Sequence, residues 1–516
     1  MRLFGVSQLC LVVCLTACNS KPPPTAMPDM APAGKPTFGE LGKVLVSKIP
    51  QEHIALEVND PSRMYYFTAA PRGLAVGDLD GDGFPDIVFA PNLYNAKPEL
   101  PPQVWRNKGD GTFELATERF LAPPVPTIGS LNNLFLADFN GDGQLDIFVV
   151  DQGLEYPVPF PGGRNKLLLS GSDKLLHDMS STVPPNYVAF NHVSSMGDVD
   201  GNGCPDIIDT NLGGPQFMTH GTYILYGDCK GGFMKSMMGL PQAIREEPTP
   251  FAMGVDYQGT GTNVTADLDG DGQPELVTAG YRYTDFVSMM KSIRIHKQSS
   301  GTFTLAATVP IADALKTIPS SPGENPSANP FGLGCANLVA GDLDGDGKPE
   351  VIANWEGSQR STIQVLHNDG NLQFSDGTMA AFGSYDTTFM TTRGVSFAQT
   401  YALRDVDGDG DLDLVLGAYA MGAPELAARN FIYVNDGHGK LTPWHFTRGG
   451  NAVTGAEVQA AMPAGSDSAS GLPLVFDANQ DGVNDIVIVD SSSDAYPDTL
   501  LQTRTMIVYT FLAGSR

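Results

Sequence analysis

The sequence predicts an all-β chain, a seven-bladed β-propeller built from four-stranded antiparallel blades. Three observations carry that prediction. A nine-residue acidic motif occurs seven times. Every copy lies between two short apolar segments with strand composition and no helical period. Gly 58 and Pro 39 supply turns for many short strands, and 41% hydrophobic residues are enough to fill a core.

The motif reads Asp-x-[Asp/Asn]-x-[Asp/Asn]-Gly-x-x-[Asp/Glu] and starts at Asp78, Asp138, Asp198, Asp267, Asp342, Asp405 and Asp477. Successive spacings of 60, 60, 69, 75, 63 and 72 residues leave room for four short strands and their connections. Strand A is the apolar segment before the acids, as in "GLAVGD" and "NVTAD". Strand B is the β-branched run after them, as in "DIVFA" and "DIVIV". Strand C follows as "QVWRN", "SIRIHK" or "TIQVLHN". It leads through Gly-rich turns such as "NKGDGTF" and "NDGHGK" into strand D, because Asp-Gly and Gly-x pairs suit tight hairpins. The last unit has no strand D after "TMIVYTF". The segment "KPTFGELGKVLV", residues 35–46, resembles strand D of unit one. It is expected to complete the seventh blade, pairing the two ends of the propeller and leaving no open edge.

Ahead of the propeller the chain reads as a targeting segment and a spacer. Arg2 precedes the short apolar run "LFGVSQLCLVVCL", which ends in Leu15–Cys18, "LTAC". That ending resembles a bacterial lipobox, which implies cleavage before Cys18 and lipid on it. The expected divisions are a signal peptide at 1–17, a lipidated Cys18 with a Pro-rich linker at 18–37, and the propeller at 38–516. The expected location is the bacterial cell envelope, by resemblance the outer membrane, with the lipid as the only membrane contact. An ordinary secretory signal is the alternative.

The acids explain the formal net charge of -27. Of 58 Asp and Glu, 25 occupy motif positions, and the other 33 nearly balance 31 Lys and Arg. The remaining surface lacks the basic footprint that nucleic acid requires. Carboxylates spaced by two in a Gly-bearing turn are what a hard cation needs, since Ca²⁺ takes six to eight oxygens. Positions 1, 3, 5 and 9 offer side chains and position 7 a backbone carbonyl. The first loop thus offers Asp78, Asp80, Asp82, Phe84 and Asp86, and the second Asp138, Asn140, Asp142, Gln144 and Asp146. The third offers Asp198, Asp200, Asn202, Cys204 and Asp206, and the fourth Asp267, Asp269, Asp271, Gln273 and Glu275. The fifth offers Asp342, Asp344, Asp346, Lys348 and Glu350, and the sixth Asp405, Asp407, Asp409, Asp411 and Asp413. The seventh offers Asp477, Asn479, Asp481, Val483 and Asp485. Asn479 and Gln480 make it the weakest expected site. Position 12 is never Glu and strands follow, which excludes an EF-hand.

The motif after a short strand resembles the FG-GAP/VCBS repeat of integrin-α-like propellers, over about residues 38–516. The resemblance implies up to seven mainly structural Ca²⁺ ions, bound at A–B loops on one face, with ligands on the opposite face. In that topology A–B loops and C–D hairpins share one end of a blade. Cys204 and Cys229 are therefore expected to form a disulfide, and Cys335 to lie on strand A.

The opposite face gathers the B–C and D–A connections. The B–C segments carry Tyr94, Tyr156, Phe160, Phe217, Tyr281, Tyr283, Phe286, Trp355, Tyr419 and Tyr496, which suit sugar rings or protein contacts. Each aromatic singly is more simply an anchor of its own loop. No His-Glu-x-x-His, Gly-x-Ser-x-Gly or phosphate-binding loop occurs. His192, near strand A of unit three, reads as structural. The expectation is a non-catalytic binding or adhesion propeller whose partner is a protein or glycan. The alternative is a polysaccharide lyase, with Tyr281, Arg282 and Tyr283 as the nearest candidate for a base.

Overall fold

A computed structural model of the chain describes residues 36–50, 57–58, 67–68, 73–90, 92–93, 96–97, 99–129, 131–153, 163–184, 191–211, 221–236, 260–280, 292–299, 302–316, 334–356, 361–385, 398–421, 432–462, 469–471, 473–490 and 505–515. They form seven antiparallel blades, with strands in the order A-B-C-D. Blade one consists of Leu74–Gly77, Asp86–Phe89, Gln103–Asn107 and Phe113–Leu115. Blade two consists of Leu131–Ala137, Asp146–Asp151, Lys166–Ser170 and Leu176–Asp178. Blades three to six repeat the pattern, with B strands starting at Asp206, Glu275, Glu350 and Asp413.

Blade seven closes the ring. Its A, B and C strands are Leu474–Phe476, Asp485–Asp490 and Thr505–Ser515. Its fourth strand is Pro36–Pro50, antiparallel to the third in a register that pairs Val44 with Phe511 and Ile49 with Met506. The segment expected to complete this blade does so, and runs four residues further than the sequence pattern indicated.

The core is divided into seven layers, one between each pair of neighbouring blades. Ile87, Phe89, Trp105, Phe476, Val487 and Val508 fill the layer between blades seven and one. Val88 and Val104, on the other side of blade one, pack against Leu136, Ile147 and Leu168 of blade two. A blade sandwiched in this way buries both faces, which is why B strands read as unbroken apolar runs rather than alternating ones. Asp86–Phe89 and Asp146–Asp151 are buried at every residue. The A strands of adjacent blades lie side by side, and Asn133 Nδ2 donates to Ser194 O at 3.0 Å across that gap.

Two features differ from the all-strand expectation. Short helices follow strand D in blades one, four, five and six: Thr117–Phe120, Asp313–Lys316, Thr378–Phe382 and Gly455–Ala461. Phe120, Leu315, Ala381 and Val458 point from them into the inter-blade layers. Trp355 is the second correction. It lies within strand B of blade five, fully buried between blades four and five, and its indole N–H donates to Gln364 Oε1 at 2.9 Å. It therefore belongs to the core and not to a ligand face.

A ring of acidic loops as the candidate metal centre

All seven motifs fall at A–B turns and share one hydrogen-bonding plan. The position 1 carboxylate is the hub. Asp78 accepts from the N–H of Gly81 at 2.8 Å and of Gly83 at 2.8 Å. Asp405 does the same with Gly408 at 2.7 Å and Gly410 at 3.1 Å. Positions 3 and 5 each accept from the N–H two residues on, as in Asp82 N to Asp80 at 3.2 Å and Phe84 N to Asp82 at 2.9 Å. These Asx turns draw the chain around the carboxylates. Positions 4 and 6 have positive φ, and glycine fills all of them except Gln480, at φ +58.

Position 9 closes the loop from within. Asp86, Asp146, Asp206, Glu275 and Asp413 are 0% exposed, and Glu350 and Asp485 at most 3%. One oxygen of each accepts from the N–H of position 2: Leu79 to Asp86, Phe139 to Asp146, Leu343 to Glu350 and Val406 to Asp413. The other oxygen accepts from strand C: Asn107 N to Asp86 at 2.9 Å, Ser170 N to Asp146 at 2.7 Å and Asn435 N to Asp413 at 2.7 Å. Burial raises these carboxyls, to about 7 for Asp86, Asp206, Glu275, Asp413 and Asp485 and to about 6 for Asp146. Backbone donors oppose the shift without cancelling it.

The loops are also fastened to the next blade. The carbonyl of position 2 accepts from a side-chain amide there: Leu268 O from Asn368 at 2.8 Å, Leu343 O from Asn435 at 2.7 Å and Ala478 O from Asn107 at 2.9 Å. Asn484 Nδ2 plays this part for Val406 O at 3.0 Å. Each loop thereby helps to set the spacing of two blades. The "W-R-N", "L-H-N" and "V-N-D" segments of strand C carried this signal in the sequence, but their partners lie 100 residues away for Asn368, 92 for Asn435 and 371 for Asn107.

The donor set is all oxygen and suits a hard cation. One ligand atom from each of Asp78, Asp80 and Asp86 falls within 4.8 Å of the others, and the same holds for Asp198, Asp200 and Asp206, and for Asp342, Asp344 and Asp346. Several of these acidic clusters can therefore hold a metal ion. One buried atom tests the fit directly: Glu275 Oε1 has no hydrogen-bond partner, so blade four keeps an unsatisfied carboxylate oxygen facing its acidic loop. Basic side chains that sequence reasoning did not single out also reach the ring. Arg106 Nε lies 3.2 Å from Asp80 and its Nη2 2.6 Å from Asp82, while Arg119 Nη2 lies 2.8 Å from Asp80. Lys297 Nζ contacts Asp269 and lies 2.9 Å from Asp271. His367 Nδ1 lies 3.3 Å from Glu350 and 3.5 Å from Asp344.

Cys204, in the A–B loop of blade three, is disulfide-bonded to Cys229 in its C–D hairpin, with Cα atoms 5.1 Å apart. Cys335 is buried on strand A of blade five, where its thiol meets Asn337 O at 3.3 Å. The strand pairs Glu57–Val58 with Ala96–Lys97, and Phe67–Thr68 with Asn92–Leu93, join the D–A and B–C connections of blade one. Tyr94, Tyr156, Phe160, Phe217, Tyr281, Arg282, Tyr283, Phe286 and Tyr496 lie outside the described residues, as do Cys18 and the side chains of His192 and Tyr419.

A model of the FG-GAP-like repeat matches residues 78–149, 267–353 and 342–416. No curated protein matches the chain. Among solved structures, similarity is found to rhamnogalacturonan lyase YesW, at 16% identity over 79% of this chain and 55% of that one, with a TM-score of 0.27. The Bacillus licheniformis rhamnogalacturonan lyase PL11 is 16% identical over 90% of this chain and 75% of that one, TM-score 0.33. The Aleuria aurantia lectin in complex with alpha-methyl-L-fucoside is 11% identical over 81% of this chain and 99% of that one, TM-score 0.33. The chain spans little more than half the length of the first of these. Such likenesses bear on neither activity nor ligand.

Proposed function

For a seven-bladed propeller that carries FG-GAP-like repeats in three places, we propose a non-catalytic binding role on a scaffold stiffened by calcium. The observation that carries this reading is the place of the acids. Every motif is woven into an A–B turn by its own backbone, and its closing carboxylate is buried. Groups committed in this way support a structural part for these loops. Bound calcium would supply positive charge among the carboxylates. The chain's contribution is to hold their oxygens on a ring and to tie each loop to its neighbouring blade. The partner, a protein or glycan, is assigned to the face of B–C and D–A connections, since long loops on a rigid scaffold are usual binding sites.

The disulfide supports an oxidising compartment outside the cytoplasm. With "LTAC" at Leu15–Cys18, it favours a lipid-anchored envelope protein. The test of this location is metabolic labelling with a fatty acid, which is expected to mark the wild type and not Cys18→Ser. Function is tested by incubating the calcium-loaded protein with acidic and neutral polysaccharides and with cross-linked envelope extract. Retention without cleavage supports the binding role. New unsaturated sugar ends would replace it with a lyase.

A further inference from the structure

Charge is distributed unevenly around the ring. The loops of blades two, three and seven carry three motif acids each, because Asn140, Asn202 and Asn479 replace the fourth. Those of blades one, four, five and six carry four. Strand C answers this difference at one position, immediately before the residue whose N–H meets the position 9 carboxylate in six of the blades. That position holds Arg106, Lys297 and His367 in blades one, four and five, but Leu169, Tyr226, Val434 and Leu512 in blades two, three, six and seven. Among the described residues, no basic group lies within ion-pair distance of the loop acids in those last four blades.

Blade four shows the arrangement most fully. The Lys297 ammonium contacts Asp269, lies 2.9 Å from Asp271 and stands 3.9 Å from Glu275 Oε1, so it reaches positions 3, 5 and 9 together. In the other six loops a strand C N–H satisfies the second oxygen of position 9. In blade four Glu275 Oε1 has no such donor. The cation nearest that buried oxygen is the lysine itself. Arg106 bridges positions 3 and 5 of blade one in the same way, with Arg119 as a second cation on Asp80.

We propose that Lys297 is the resident cation of the blade-four loop, holding it closed without metal, and that Arg106 with Arg119 does the same in blade one. Calcium enters these two loops only by displacing a tethered cation that already makes charge-assisted hydrogen bonds. Blade six has four acids and no such cation among the described residues, and it is the strongest divalent site of the ring. The affinity gap between blades six and four is on the order of a hundredfold. This ordering rests on the acidic loops being cation sites. It departs from a ranking by acid count, which would place blades one, four, five and six together.

Hydrogen exchange on the whole protein separates the two claims. In the wild type, chelator is expected to speed exchange at Gly408 and Gly410 by on the order of tenfold and to leave Gly270 and Gly272 unchanged. In metal-free Lys297→Gln, exchange at Gly270 and Gly272 is expected to rise similarly, and calcium to restore their protection. A chelator response of the same, non-zero size at Gly270 and Gly408 in the wild type overturns the proposal. So does continued protection of Gly270 and Gly272 in the metal-free variant. If the variant fails to fold, the wild-type arm still decides. If no wild-type loop responds to calcium or chelator, the calcium scaffold fails, and the resident-cation claim is decided by the variant alone.

Discussion

Seven buried carboxyls give the molecule an acid response opposite to that of most proteins. Those of Asp86, Asp206, Glu275, Asp413 and Asp485 are pushed up to about 7 by burial, and Asp146 to about 6. A raised carboxyl holds its proton in the fold at a pH where the unfolded chain, with values near 4, has released it. In metal-free protein the burial penalty is thus fully present above about 7 and is relieved as pH falls toward 4. Chelated protein is expected to melt at a higher temperature at pH 6.5 than at pH 8, and calcium to flatten that difference. A chelated melt that falls between pH 8 and 6.5 would contradict it. His296 opposes the trend only below its ordinary value of about 6.5, because burial and then Arg294 push it down to about 4. Burial raises Glu350 as well, and one histidine does not outweigh seven carboxyls. The latch asparagines make a second test at this scale. Asn435→Ala removes the donor from Leu343 O and leaves that carbonyl without its inter-blade partner. The expected cost is about 2 kcal/mol in denaturant unfolding, and a change under about 0.5 kcal/mol would show the latch to be incidental.

At the scale of elements, each blade is a meander whose two ends are fastened by different means. At the loop end, position 9 ties strand B to strand C through its second oxygen in six blades. Blade three adds the bond between Cys204 and Cys229, 25 residues apart. Replacing both cysteines by serine is expected to cost roughly 3 kcal/mol, the loop-closure value for that separation. A lowered melting temperature that reductant no longer changes would check it. After strand D, the helix Gly455–Ala461 begins with a capping box: Thr454 N donates to Glu457 Oε2 at 2.7 Å and Glu457 N to Thr454 Oγ1 at 3.3 Å. The form of "T-G-A-E" ahead of an apolar Val458 is that of a helix start, although no helix was expected there. The four-residue helices Thr117–Phe120 and Asp313–Lys316 leave no such mark, because one turn is too short to show a period.

For the whole molecule, closure is the property on which the rest depends. The strand Pro36–Pro50 buries Leu41 and Ile49 in the two layers that flank blade seven. It also carries Glu40, whose carboxylate accepts from Thr447 Oγ1 at 2.9 Å and from the N–H of Gly449, fixing a hairpin that follows blade six. Removing residues through Pro50 deletes that packing and exposes the edge of Thr505–Ser515 to strand pairing with other chains. The truncated protein is expected to lose more thermal stability than chelation removes from the intact one, and to elute as oligomers in size-exclusion chromatography. A monomeric truncation with an unchanged melt would show that three strands suffice for blade seven.

The sequence by itself determined the repeat, the strand order within it and the acidic turns. Each is written in local chemistry: turn residues at fixed offsets, β-branched runs and a motif whose turn is drawn closed by hydrogen bonds within seven residues. It also placed Cys204 and Cys229 at one end of a blade. Contacts between units were decided only by the tertiary structure. Trp355 looked like a loop aromatic until two blades enclosed it. Asn107, Asn368 and Asn435 were unremarked ends of strand C until each met a carbonyl of the preceding blade. Lys297 was one polar residue of a strand until the fold set its ammonium among Asp269, Asp271 and Glu275. The physical reason is the same in each case. A blade's hydrogen bonds are short in sequence and can be read along the chain, whereas the partners across an inter-blade layer or loop are fixed only when the ring has closed.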